Sequence, residues 1–316
     1  MIRFLTNDQI NLESWDSCIF RSINGNIYGY SWYLNMVCPG WCALVEDDYI
    51  RIMPLPAWKK FGINYLVQPL FTQQLGIYSS EQISSRDVRD FLYKIPSKFK
   101  YVDMNLNSAN KIEITGLSHG YNINYELLLN LPYKEISALY SDNLKRNLKR
   151  ANKYVQSISR NVEPLEIITL FRKNRGDGIK ALSDSQYDVL RKVFSELLQR
   201  GHCEIWGVYH PEKQKLMGAV AWVYSNNRII FLFSAVSDSG KQKGAMPFLI
   251  DSLIREKAGS ELILDFEGSN DPNLGRFYAG FGSSKVFYPR IRMNKLSILL
   301  HFGTNIYRNL RIYFRK

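Results

Sequence analysis

Acidic side chains run out well before this chain ends: after Asp271 the 316-residue sequence carries no aspartate or glutamate. Arg276, Lys285, Arg290, Arg292 and Lys295 accumulate there instead, with more arginine and lysine beyond them. The net charge is +12 and the pI near 9.4. So uneven a charge points to a polyanionic partner, whether a phosphate-bearing cofactor, RNA or an anionic membrane surface; solubility alone is the plainer alternative. Long apolar runs are also missing, and none reaches the roughly 18 residues of a membrane helix. Met1 to Asp8 turns polar too early for a secretory signal, so a cytoplasmic protein without a transmembrane segment is expected. The tail Ile306 to Lys316 interleaves aromatics with arginines. It keeps peripheral membrane contact open, beside simple docking onto the first part of the chain.

Cysteine and histidine are scarce, with four of each. Cys38 and Cys42 have no second ligand pair nearby, and His119, His202, His210 and His301 are scattered, so no metal is expected. Cys18 and Cys203 complete a set of reduced, mostly buried thiols. His202 and Cys203 are adjacent, and strand neighbours point to opposite faces, which excludes a Cys–His dyad. No Gly-x-Ser-x-Gly elbow or Walker loop is present.

What is present is an order of elements written twice. Cys203–Tyr209, Lys215–Ser225 and Arg228–Ser237 read as strands, with Asn226-Asn227 as a tight turn. Gly244–Ala258 follows at helical spacing with Pro247 in its first turn, and Glu261–Glu267 is the closing strand. Earlier, Trp41–Glu46 and Tyr49–Pro54 form a hairpin over Asp47-Asp48. An irregular span, a helix from about Glu81 to Tyr93 and the strand Tyr101–Leu106 come next. Both closing strands carry an aspartate, Asp103 and Asp265, and enter a polar turn, which suggests a diverged internal duplication. A helical stretch through Lys153 and a helix Ser185–Arg200 lie between the halves. Phe171 to Gly178 reads as a basic, flexible loop.

The most informative stretch is Leu262-Ile263-Leu264-Asp265-Phe266-Glu267-Gly268-Ser269-Asn270, followed by Phe277-Tyr278-Ala279-Gly280-Phe281-Gly282. It reads as a buried strand ending on two carboxylates, then a turn that delivers a tyrosine just ahead of a glycine. Strand alternation sends Asp265 and Glu267 to one face, where a pair can hold one raised pKa or make structural bonds. This layout resembles the end of the acyl-transfer core in GNAT-type N-acyltransferases, and especially their FemABX-like tandem relatives. The Asp-Phe strand end, the Gly-rich turn and the Phe-Gly run all match. The lysine of that family's run is absent, with Ala279 or Gly280 in its place.

The resemblance implies an α/β fold with a mixed sheet: two tandem GNAT-like domains, 1–135 and 136–316, with residues after about 297 returning to the first. In such folds two parallel strands splay and the acyl donor lies between them. The matching strand is Ile229 to Val236, so Ser234, Ala235 and Val236 are expected to polarise the donor carbonyl. The family's Gln/Arg-x-x-Gly-x-Gly/Ala loop corresponds to Lys241-Gln242-Lys243-Gly244-Ala245-Met246, which departs from it at both ends. Lys241, Lys243, Gly244 and Ala245 would hold the phosphates of an acyl-CoA such as acetyl-CoA, with Asn270 nearby; a solvated loop is the alternative. Tyr278 is the implied general acid, and Glu267, or else Asp265, the base. Packing of Phe277, Tyr278 and Phe281 on a short helix would explain the same residues without chemistry.

Arg146, Lys149, Arg150 and Lys153 fall on one helical face. FemABX-like proteins carry a similar basic helix, suited to a nucleotide diphosphate, a CoA phosphate or an RNA backbone; a solvated face is the alternative. The implied function is acyl transfer from an acyl-CoA-type donor to an amine on a small molecule or peptide. Two others stay open. One is an aminoacyl-tRNA-dependent transferase acting on a peptidoglycan (cell-wall) precursor; the other is a non-catalytic binding module on a degenerate scaffold.

Overall fold

The computed structural model describes residues 1–296 apart from 115, 156, 177–181, 213 and 269. The aromatic and arginine-rich tail, with its expected return to the first domain, lies outside the described residues. The described chain divides into two units, one built from Met1–Asn122 with residues 287–296, the other from Ile123–Val286. The first contains β1 (Ile2–Leu5), α1 (Leu12–Arg21), α2 (Ser31–Val37), β2 (Cys42–Glu46), β3 (Arg51–Leu55), β4 (Ala57–Lys60), β5 (Ile63–Val67), β6 (Tyr78–Ser79), α3 (Ser85–Tyr93) and β7 (Phe99–Asn105). Strand β8 (Ser118–Leu128) carries the chain into the second unit. There follow α4 (Tyr133–Ala138), α5 (Asp142–Tyr154), α6 (Pro164–Asn174), α7 (Asp184–Gln199), β9 (Cys203–Tyr209), β10 (Leu216–Ser225), β11 (Arg228–Val236), α8 (Asp238–Lys243), α9 (Ala245–Lys257), β12 (Ile263–Asp265) and α10 (Pro272–Ala279). Strand β13 (Ser284–Asn294) leads back to the first unit.

In the second unit the strand order is β8-β12-β11-β10-β9, antiparallel except for the parallel pair β11 and β12. β10 is apolar on both faces, as a strand covered on both sides must be. Leu249, Ile250, Leu253 and Ile254 of α9 join Trp206, Val220 and Trp222 in the core. Each such aliphatic side chain contributes roughly 2 kcal/mol of burial. Elsewhere Phe233 of β11 packs against Phe171 of α6 and Phe194 of α7, with ring centroids 4.7 and 5.8 Å away. Asn226 and Asn227 turn the β10–β11 hairpin with φ of 46° and 58°, the left-handed conformation that asparagine tolerates.

The first unit holds the antiparallel set β1-β2-β3-β6 and the set β4-β5-β7-β13, in which β5 and β7 are parallel. Its core gathers Leu44, Met53, Leu66, Phe91, Met104 and Ile291. All four cysteines are buried free thiols, and burial raises each above its ordinary pKa.

Several expectations need correction. The duplicated pattern is present, but its counterpart of β10-β11-β12 is β4-β5-β7, not the β2–β3 hairpin, which lies in the other sheet. The span read as irregular contains β4 and β5, short strands whose side chains are mostly half-buried or exposed. The closing strand stops at Asp265, two residues before Glu267. Phe171–Asn174 is helical, and Lys241–Lys243 is the end of α8 rather than an open loop. The units divide between Asn122 and Ile123, where an interdomain boundary near 135 was expected. Residue 135 lies inside α4, whose Ile136 belongs to the second unit's core.

Candidate active site

The sheet of the second unit opens at one place. β11 and β12 pair only through Arg228–Ile263, Ile229–Leu264 and Ile230–Asp265. β11 then runs on to Val236 along β10 alone, with a register shift opposite Ala221 and Trp222. β12 is paired along its whole length and ends at Asp265, so the opening, called the fork below, lies between the edge of β11 beyond Ile230 and the turn that follows β12. Ser237 N–H donates to Met217 O on β10, and amide directions alternate along a strand. Ser234 and Val236 therefore turn their N–H groups into the fork, whereas Ala235 faces β10. Of the three residues expected to polarise a carbonyl, two turn their amides to that side of β11.

At the base of the fork Asp265 is buried and occupied. Its Oδ1 accepts from Asn124 Nδ2 at 2.9 Å and from Glu267 N–H at 2.8 Å, and its Oδ2 lies 3.4 Å from Arg228 Nη1. The same guanidinium lies 2.9 Å from Glu126 Oε1. Burial raises the Glu126 carboxyl, Arg228 opposing and Asp265 adding to the rise. Asp265 is thus engaged by Asn124 and Arg228, and it fixes the backbone of Glu267.

Glu267 is the next carboxylate along the chain. It lies beyond the strand with φ of 56°, so alternation does not apply to it, and the expectation that it shares a face with Asp265 through the pleat fails. Gly268 follows at φ 43°, where a Cβ would run into Ile123 O and Asn124 Cα. This turn sends the Glu267 side chain inward. Its Oε1 is sequestered from solvent with no hydrogen-bond partner among the described residues, and burial raises the carboxyl well above the usual range.

Tyr278 lies at the C-terminal end of α10, a helix started by Asp271, whose Oδ1 accepts from Asn273 and Leu274 N–H, and by Pro272. Its ring stacks on Phe266 at 4.9 Å, with Tyr125 and Phe231 at 6.0 and 6.1 Å. Burial pushes the phenol up to about 12, the nearby Glu267 adding to this and Arg175 opposing it. The fold thus brings Tyr278 and Glu267 together beside the fork. The tyrosine is at once a member of the aromatic core and a neighbour of a carboxyl.

The residues expected to hold phosphates are placed otherwise. Lys241 pairs with Asp238 at 2.9 Å, and the Lys243 ammonium lies 5.7 Å from the centre of the Tyr154 ring. Gly244 and Ala245 are buried, Gly244 close against Asn147 O and Ala151 of α5. Asn270 Oδ1 accepts from Ile123 N–H. Each of these groups thus has contacts within the fold. On α5 the situation is reversed. Leu144 and Ala151 bury one side of the helix, and Arg146, Lys149, Arg150 and Lys153 are exposed on the other.

Asn124, Glu126, Arg228 and Arg175 were not anticipated. The alternation Ile123-Asn124-Tyr125-Glu126-Leu127 was a usable strand signal. Nothing in the sequence marked Arg228 as the partner of two carboxylates.

No known protein family and no curated protein matches the sequence. Among solved structures the chain is similar to FemX, at 11% identity and a TM-score of 0.62 over 96% of this chain and 98% of that one. It is similar to L-PGS from Bacillus licheniformis, at 13% identity and 0.52 over 96% and 97%. A conserved protein of unknown function from Bacteroides thetaiotaomicron aligns at 9% identity and 0.54 over 92% and 99%. The fold is the tandem GNAT-like fold of FemABX-type proteins.

Proposed function

We propose that the second unit is an N-acyltransferase domain, moving an acyl group from an activated ester or thioester to an amine within the β11–β12 fork. One observation carries this reading: beside the edge of β11 that extends past β12 lies Glu267, whose Oε1 is sequestered with no hydrogen-bond partner among the described residues, next to a phenol, Tyr278. Unpaired buried polar atoms are costly, so such a carboxyl needs an explanation outside stability. In the reaction the amine nitrogen bonds to the acyl carbon and gives its proton to the Glu267 carboxylate. The bond to the leaving atom breaks, and Tyr278 supplies that atom's proton. Ser234 and Val236 N–H groups would hold the oxyanion. Asp265 is a positioning residue, because it holds Glu267 N–H.

The donor we favour is an ester borne on RNA, as in an aminoacyl-tRNA, rather than acyl-CoA. Lys241 and Lys243 already have partners and Gly244 is packed against α5, whereas the basic face of α5 is exposed. A phenol near 12 also suits a departing alkoxide, which is far more basic than a thiolate. The likeness in fold to FemX and L-PGS is consistent with this donor, and the acceptor would be an amine on a small molecule or peptide.

The test is thermal stabilisation by aminoacyl-tRNA and by acetyl-CoA side by side, at rising salt, together with transfer assays of Glu267→Gln and Tyr278→Phe. A salt-sensitive shift with the RNA and loss of transfer in both variants is expected. A shift with acetyl-CoA alone would reverse the donor. Full transfer by both variants would remove the chemistry.

A further inference from the structure

The β4–β5 hairpin of the first unit ends in an arrangement that acyl transfer does not use. Its two turn residues, Phe61 and Gly62, have φ of 50° and 76°. A two-residue turn with both φ positive calls for Asn-Gly or Gly-Gly; a bulky aromatic there is a conformational outlier. The Phe61 side chain is also 91% exposed, so packing in this chain does not compensate for its backbone.

Charge is concentrated around it. Lys59 and Lys60 precede it, both exposed, with the Lys60 ammonium 5.4 Å from the Phe61 ring centre. The register brings further lysines to the same end of the sheet. Asn64, just past the tip, pairs with Phe99 at the start of the parallel strand β7, next to exposed Lys100. Lys295, following β13, donates its N–H to Lys100 O at 2.8 Å. Lys59, Lys60, Lys100 and Lys295 thus rim one end of the sheet around a projecting phenylalanine. The one acidic residue in β4, β5, β7 and β13 is Asp103, further along β7, and Arg290 and Arg292 hold it.

We propose that this sheet end is a docking surface for an anionic lipid bilayer. Phe61 would enter the headgroup–acyl boundary and the lysines would lie on lipid phosphates. An RNA would also account for the lysines and could stack one base on the ring; insertion into the headgroup boundary uses the whole outward-held ring, and we take the bilayer as the occupant. The inference does not depend on acyl transfer, since it is read by partitioning rather than turnover.

Sedimentation with vesicles of phosphatidylcholine alone, and with about a third phosphatidylglycerol, tests it. Binding to the anionic vesicles only is expected, weakening as salt rises. Phe61→Asn should lower partitioning about tenfold while leaving the thermal midpoint equal or higher, because asparagine is easier in the left-handed region. The Lys59→Gln, Lys60→Gln double variant should lose tenfold or more, at about fivefold per lysine. Equal binding to neutral vesicles, or unaltered partitioning of Phe61→Asn, would overturn the proposal. So would a double variant that loses RNA binding and keeps the bilayer.

Discussion

Each unit contains one parallel strand pair, and the two pairs end differently. In the first unit the pairing of β5 with β7 runs through Val67–Asp103 and then continues without a gap. Gln68 N–H donates to Asp103 O, Gln68 Oε1 accepts from Asn105 N–H, and Leu75 bridges to Leu106. The segment leaving β5 is laid along β7 and zips the pair shut. In the second unit the segment leaving β11 goes the other way. Ser237 bonds back to Met217 on β10 and immediately caps α8, and Gly240 presses against Met217 O. Among the described residues no segment leaving β11 continues along the end of β12, and β11 runs on past it. The two pairs thus differ in the length of the second strand, three residues in β12 against seven in β7, and in the direction the first strand's exit takes. The aspartates follow suit. Asp103 is clasped by Arg290 and Arg292 as a closed structural unit, whereas Asp265 spends one hydrogen bond aiming Glu267.

The sharpest test of this contrast is activity. Glu267→Gln should lower transfer about 10³-fold, whereas changes around Asp103 leave it intact. Gly268→Ala comes next. A Cβ at φ 43° facing Ile123 O and Asn124 should cost about 3 kcal/mol by denaturant unfolding and shift Glu267, so turnover falls as well. Asp103→Asn should cost about 2 kcal/mol, less than a fully buried pair, because Arg290 and Arg292 are 40% and 44% exposed. Its turnover should match wild type. Loss of turnover in Asp103→Asn at full folding would erase the division of labour between the two units.

Much of this contrast was legible beforehand, and the missing parts have physical causes. β9, β10, β11 and α9 match their expected ranges closely, since their apolar runs are long and the Asn-Asn and Gly-Ser punctuation is unambiguous. β4 and β5 were missed because Trp58-Lys59-Lys60 and Ile63-Asn64-Tyr65 are exposed or only half-buried, and partial burial weakens the period-two signal. Glu267 was singled out for the wrong geometric reason. Its direction comes from a left-handed turn held by Asp265 and Gly268, which strand alternation cannot express. The engagement of Lys241 and Lys243 with Asp238 and Tyr154 is a matter of side-chain packing, and basic composition alone still reads as phosphate affinity.

The smallest expected effect separates a functional Glu267 from a structural one. Burial raises its folded-state pKa well above the usual carboxylate range, while in the unfolded chain it titrates near about 4.3. Between those two values the native state holds a proton that the unfolded state has lost, so stability falls as pH rises through that window. Glutamine cannot ionise and keeps the same shape. Glu267→Gln should therefore match wild type near about pH 4 and exceed it by about 1 kcal/mol near about pH 8, a figure kept low because the residue is only partly buried. Urea midpoints across that range measure the difference. A variant that gains stability toward alkaline pH while losing transfer marks a carboxyl kept at the fold's expense. Parallel curves with a constant offset would mean that Glu267 keeps an ordinary pKa, and the opened fork would then lack its base.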